Sequence, residues 1–397
     1  MSTITIPGGA GMMGQGIIRD LLSDRSIIDI TEIRLCDTAR ARMQALQADL
    51  DDPRLTLHDL DVTDPAALGA VLQGADLCIN AVPTLAGHQM TIFAAALDAG
   101  TDYVDLGGLG TYTVKQIAWH DRFARAGVVA VLGVGSDPGM SNVICRAVAD
   151  RLDRIDAINL YWAAELSGPE NPVLVPPYSV STVLAEYAYP STQFLNGAHV
   201  ECGPQTGQEV IELPPPWGRC TFMYSAHSEQ LTVPLANGIR DKGIREFTWK
   251  LHLPHREHEA WVGLVKAGFG DFERPVFLGG HAVRPLDVLN AVIARNMAEN
   301  AEKIPDQQGH EIHFAIGRGS IDGKPATVRC QVVLRPDPIY DGYVDAGTSM
   351  NASIAAQLIL KGPRKPGVYA PESYFEPEAY FAEGRKRKFD IAFSIER

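Results

Sequence analysis

A chain of 397 residues with 46% hydrophobic side chains has room for roughly two or three domains with cores of their own. Its formal charge of −13 at pH 7 argues against a nucleic-acid surface, although a local pocket of arginines can still take an anionic substrate. Six cysteines without a C-x-x-C pair, no signal-like start and no apolar run of spanning length point to a cytoplasmic protein in a reducing compartment, without a membrane partner.

The first stretch is the most informative. Thr3–Ile6 reads as a buried strand and runs into Gly9-Ala10-Gly11-Met12-Met13-Gly14, a G-x-G-x-x-G. The apolar spacing Ile17, Ile18, Leu21, Leu22 then reads as a helix. In such a unit Gly9 allows a tight turn, Gly11 lets backbone approach a pyrophosphate, and Gly14 lets the helix pack close to the strand. The backbone of Met12 and Met13 would present the helix N-terminus to the phosphates. Glu32–Cys36 reads as the next strand, ending at Asp37, 23 residues past Gly14 and near the ~20 expected for an acid on an adenosine ribose. Asp37 would accept hydrogen bonds from a ribose 2′-OH and repel a 2′-phosphate. NAD is therefore the expected cofactor, with NADP open because Arg40 and Arg42 lie close by.

Downstream, Thr38–Leu50 reads as a helix, Leu55–Leu60 as a strand, and Pro65–Leu72 as a helix capped by Asp64. Leu77–Val82 and Tyr103–Leu106 read as strands separated by a helix over His88–Ala99; a helix over Val114–Ala126 and a strand over Val128–Val134 follow. This alternation predicts a doubly wound parallel sheet, the Rossmann architecture. Ligands of such sheets sit beyond the carboxyl ends of the strands, so Asp61 and Val62, then Asn80, Ala81, Val82 and Pro83, are expected along the cofactor. By the same rule Gly107 and Gly108 would let the chain approach the nicotinamide end, with Gly108 also on the substrate side and Asp105 a catalytic candidate.

Past Gly135 the rhythm changes. A helix over Met140–Leu152 is followed by short alternating runs at Ala157–Ala163, Gln208–Leu213, Gln230–Val233, Phe247–Leu253, His310–Gly317 and Thr327–Leu334, divided by proline- and glycine-rich loops. They predict an α+β domain with a mainly antiparallel sheet and a few helices, such as Arg284–Ala298. Thr348–Leu360 reads as a helix and Phe389–Ser394 as a strand, in a tail expected to rejoin the first domain. The division expected is 1–138 with 346–397 for the dinucleotide domain, and 139–345 for the substrate and dimerisation domain.

Chemistry on a C–N bond needs a positioned hydride carbon, a proton acceptor, a substrate anchor and exclusion of water. Tyr224-Ser225-Ala226-His227-Ser228-Glu229 is the best candidate stretch, since alternation in an extended segment puts His227 and Glu229 on one face. Tyr224 would contact substrate there, and Arg219 could hold a carboxylate bidentately. His252, His255 and His258, with His310-x-x-His313, do not make a metal site. Pro254 interrupts them and no cysteine or acid sits at ligand spacing.

Several segments together resemble the saccharopine-dehydrogenase-like superfamily, and most of all its NAD-dependent lysine ε-dehydrogenase branch. They are GGAGMMG, NAVP at Asn80–Pro83, YVDLGG at Tyr103–Gly108, LGVGSDPGMSN at Leu132–Asn142, RPLDVL at Arg284–Leu289, and AAQLILKG…GVYAPE at Ala355–Glu372. The resemblance implies a Rossmann domain rejoined by the C-terminal segment, an α+β domain forming the substrate pocket and the contact of a homodimer, and a cofactor in the cleft between. It further implies hydride transfer between nicotinamide and the amine or imine carbon of an amino- or imino-acid substrate, lysine deamination first. It places His255 at the pocket, preceded here by Pro254 where relatives carry glycine. A reductive condensing dehydrogenase of the saccharopine, carboxynorspermidine or opine type, and a non-catalytic nucleotide sensor, stay open as alternatives.

Overall fold

Six strands alternate with helices through the first third of the chain: β1 (Ser2–Pro7), β2 (Ile30–Asp37), β3 (Leu55–Asp59), β4 (Leu77–Asn80), β5 (Asp102–Asp105) and β6 (Val129–Val131). In this computed structural model, which describes residues 1–305, 308–340 and 346–397 (without the side chains of His255 and Gln308), they form one parallel sheet. Its order is β3-β2-β1-β4-β5-β6, completed by Gly367–Tyr369 beside β6. The direction of winding reverses between β1 and β4. That is the switch point where an open α/β sheet leaves a crevice beyond its strand ends. Ile4, Ile6, Ile33, Leu35, Leu77, Ile79 and Val104 are fully buried, as strands covered by helices on both faces require.

The glycines of the first loop have specific tasks, and one differs from the sequence expectation. Left-handed backbone occurs at Gly8 (φ +77°), not at Gly9, and a Cβ at Gly8 would lie 2.7 Å from the Ala81 carbonyl carbon. Gly8 therefore makes the turn. A Cβ at Gly9 would strike the Leu35 side chain at 2.3 Å, and one at Gly14 would come within 2.5 Å of the Gly9 Cα. These two keep the helix Met12–Leu22 tight against strand and loop.

From Arg154 a second sheet is built around β7 (Arg154–Ser167), a 14-residue strand. On one side it pairs antiparallel with Gln308–Ile321, which pairs in turn with Lys324–Leu334. On the other it pairs with Glu246–His252 in parallel, because the intervening chain crosses over before returning. The expected mainly antiparallel sheet thus carries one parallel pair at its centre. The helix Met140–Ala149 lies between the sheets with nine of its ten residues buried, so a single apolar core continues from one domain to the other.

Three local expectations change. Val114–Ala126 is not one helix but two, Thr113–Ile117 and His120–Ala126. Gln230–Val233 is not a strand: Glu229–Thr232 is one helical turn followed by a 3₁₀ turn at Val233–Leu235. Four apolar-rich residues carry no decisive periodicity, Pro234 cannot donate to a ladder, and Gln230 Nε2 closes the turn onto the Ser225 carbonyl at 2.6 Å. The tail also divides. Ala346–Lys361 packs on Met12–Leu22 and Gly367–Tyr369 joins the first sheet, whereas Asp390–Glu396 pairs with Lys324–Leu334 in the second.

Candidate active site

The carboxyl ends of β1, β4 and β5 open into a cleft of about 710 Å³ whose opposite wall is the second sheet. Gly8, Gly11, Met12, Met13 and Asp37 line one end; Ala81, Val82, Pro83 and Gly108 line its floor; Trp162, Glu186, His227 and Trp249 face them. The loop fits a dinucleotide phosphate. Gly11 caps the helix with no side chain in the way, so the amides of the first turn are left for a ligand in the cleft. Asp37 closes the loop from below, accepting from Ala10 N at 3.1 Å and Ala39 N at 2.9 Å.

The polar wall carries His227, held between two carboxylates, and a second histidine held in the same way is buried behind the wall. His227 lies stacked on the Trp249 ring (centroids 3.9 Å apart, 14° between planes). Its Nε2 is 3.4 Å from Glu186 Oε1, and its Nδ1 is 3.6 Å from Glu229 Oε2, a charge contact rather than a hydrogen bond. The Tyr178 hydroxyl fixes Glu186 by donating at 2.6 Å, and Ser141 Oγ fixes Glu229 by donating at 2.7 Å. Burial by itself would lower the His227 pKa, but Glu229 and Glu186 together outweigh it and push it up to about 10. His227 is thus an imidazolium at neutral pH.

The second histidine was set aside on sequence grounds. His313 is fully buried, with Nδ1 2.6 Å from Asp137 Oδ2 and Nε2 3.3 Å from Glu311 Oε2. The Trp162 indole donates to the same Glu311 oxygen at 3.2 Å. Here too burial would lower the pKa, and Asp137 and Glu311 carry it up to about 10. Asp137 follows β6 and His313 sits in Gln308–Ile321, so this ion pair joins the two domains. A sign in the sequence was available: Glu311 and His313 are two residues apart in an apolar strand and so share a face.

Both histidines carry folded-state pKa values above the ~6.5 of a free imidazole. Their contribution to stability is complete below about pH 6.5 and is lost as pH rises through about 10. The urea midpoint is expected to fall steadily from neutral pH to pH 10, and a midpoint flat over that range would contradict the paired-imidazolium assignment.

The remaining candidates are distributed as follows. Glu229 stands behind His227, while Gly108 lies in the floor of the cleft opposite. Gly107 turns beneath the floor, its carbonyl accepting from Thr84 Oγ1 at 2.6 Å. Asp105 does not line the cleft. It accepts from Gly107 N, Gly133 N and Gln116 Nε2, and burial raises its pKa, so it fastens two loops together. Asn80 is likewise buried, bonded to Tyr103 and Gln89, and its Oδ1 holds Val82 N. Asp61 is occupied in an exposed turn with Thr63, and Val62 packs into a core beside β4. Arg219 begins its strand opposite Glu212, away from the cleft, and Tyr224 lies against Lys250. The side chain of His255 lies outside the described residues. Of the other histidines, His310 contacts Ser167 and His252 the Thr221 carbonyl.

The description "Saccharopine dehydrogenase NADP binding domain" matches residues 6–131, and "Saccharopine dehydrogenase C-terminal domain" matches residues 135–386. A carboxyaminopropylagmatine dehydrogenase of a Synechocystis species is 24% identical over 94% of this chain and 93% of its own. The apo saccharopine dehydrogenase (L-Glu forming) of Saccharomyces cerevisiae superposes over the whole of both chains with a TM-score of 0.73 at 16% identity, a likeness of fold. Among the described residues no helix is long and apolar enough to cross a membrane. With a nicotinamide-type dinucleotide loop at one end of the cleft and matches running through both domains, the chain belongs to the saccharopine dehydrogenase family of NAD(P)-dependent oxidoreductases.

Proposed function

We propose that the protein is a reductive condensing dehydrogenase that joins a primary amine to the carbonyl of an aldehyde or oxo acid. The observation that carries this reading is His227, a charged imidazolium in the same cleft as the dinucleotide loop. Condensation begins with attack of the amine on the carbonyl. The resulting carbinolamine must lose water, and an acid at the departing hydroxyl is what that step needs. His227 can supply the proton, and Glu186 and Glu229 hold its ring in place and steady its charge. Gly8–Met13 and Asp37 would hold the dinucleotide, which would supply the hydride that the imine carbon needs. The balance is amine, carbonyl, NAD(P)H and one proton to secondary amine, water and NAD(P)⁺. The relative from Synechocystis is named for a carboxyaminopropyl-substituted agmatine, which supports a substituted amine over a simple amino acid.

Deamination of lysine is the second reading, favoured by the ordered motifs from Asn80–Pro83 to Ala355–Glu372. It runs hydride the other way and uses His227 as base. Absorbance at 340 nm separates the two: consumption of NAD(P)H with paired amine and carbonyl supports condensation, while reduction of NAD(P)⁺ by lysine alone overturns it. Silence in both directions would favour the nucleotide sensor.

Asp37 supports NAD as the preferred dinucleotide, since its carboxylate would lie against a 2′-phosphate. Asp37→Ser is expected to raise the ratio of kcat/KM with NADPH to that with NADH by about tenfold or more, roughly 1.4 kcal/mol of relieved repulsion. An unchanged ratio would remove Asp37 from cofactor selection.

A further inference from the structure

Every charged residue among the described lining of the cleft, apart from His227, is an acid: Asp37, Asp137, Glu186 and Glu311, with no lysine or arginine. Each buried imidazolium is shared by two carboxylates, so each trio carries a net negative charge. The acids also have an unused acceptor. The Asp137 side chain is only 7% exposed, it lines the cleft, and its Oδ1 has no hydrogen-bond partner among the described residues. A buried carboxylate oxygen left without a donor is costly, and a charged donor from a ligand relieves it.

The cleft also continues sideways. Trp162, Tyr178 and Glu311 line both the cleft and a narrow side pocket that carries Glu165 and Glu257. Glu165 and Glu257 in turn line an outer space of about 490 Å³. The side pocket itself is narrow and is walled by Trp162, Tyr178 and the carboxyl groups of Glu165, Glu257 and Glu311, which favours a cationic group over a second carboxylate there, while Arg256 stands with Glu170 at the outer space. Burial, helped by Glu165, raises the Glu257 pKa to about 7.

We infer that the cleft and its side arm form a binding site for a linear amine with a second cationic group, ammonium or guanidinium, held by Asp137 and Glu311 against Trp162. The inference rests on the condensing reading for which nitrogen reacts, but the binding preference can be measured without turnover.

The test is equilibrium titration of the protein saturated with oxidised dinucleotide, without carbonyl partner. The probes are agmatine, 1,4-diaminobutane, n-butylamine and L-glutamate. The two dications should bind at least tenfold more tightly than n-butylamine, with L-glutamate weaker still. Glu311→Gln should weaken the dications about tenfold and n-butylamine little. Because Glu311 also pairs with His313, Glu257→Gln, at a half-buried position on the helix His255–Lys266, is a second variant and should weaken agmatine severalfold. Equal affinity for n-butylamine and the dications, or tightest binding of L-glutamate, overturns the site. Dication preference without NAD(P)H consumption by any amine–carbonyl pair would leave the site standing and remove the condensing reaction instead.

Discussion

Replacing His227 with glutamine is expected to lower kcat by about 10²–10⁴-fold, the usual worth of a positioned acid or base, with dinucleotide affinity changed no more than severalfold. Glutamine keeps a polar group over Trp249 but can neither give nor take a proton at neutral pH. The pH profile carries the sharper information. With its pKa up at about 10, His227 is protonated at neutral pH. The reductive direction should therefore hold its rate through neutral pH and decline as pH approaches 10. The oxidative direction, which needs the neutral imidazole, should rise over the same interval. Both slopes should vanish in the glutamine variant. If the slopes persist there, another group is the proton carrier.

The largest effect on stability is expected from Asp20. It lies on the helix Met12–Leu22, fully buried, and takes a bidentate contact from Arg387, also fully buried, at 2.6 Å and 3.0 Å. The pair fastens the C-terminal segment to the helix that presents the phosphate loop. Asp20→Asn leaves the buried guanidinium with only the longer contact to Glu383 (3.6 Å), and losing the main partner of a buried pair costs up to about 3–5 kcal/mol. Against an ordinary domain stability of ~5–15 kcal/mol that is a large fraction. The exposed pair Arg240–Asp241, at 3.0 Å, has water as an alternative partner, so Arg240→Ala should cost below about 1 kcal/mol. Replacing both Asp20 and Arg387 by apolar residues of similar size should recover most of the loss, because the penalty comes from the orphaned charge. Urea unfolding of the single and double variants checks this. A single variant as stable as the double one would contradict it.

The dinucleotide half was legible because its signals are local. A strand, a glycine turn and a helix follow one another within Thr3–Leu22, and Asp37 stands at a fixed spacing set by one βαβ unit. Even there the turn glycine was misassigned. The need for left-handed backbone at Gly8 comes from Ala81, 73 residues away on β4. Asp105 and Asn80 sit at the right strand ends, yet their side chains turn inward to tie loops together.

The catalytic half could be only partly read. His227 and Glu229 were found by an alternation that does not exist, since the chain between them turns into a helix. They meet nonetheless because the turn brings the Glu229 carboxyl behind the His227 ring. Glu186, Trp249, Asp137 and His313 belong to four separate elements with no local reason to be chosen. Arg219 had the right chemistry and the wrong place.

By itself, the order of residues determined the parallel sheet, its glycine loop and the acid at the end of β2, since each depends on backbone conformation within a few tens of residues. Tertiary structure alone decided which charges share the cleft. A carboxylate gains or loses function according to what is buried against it, and that is settled by strands and helices distant in the chain.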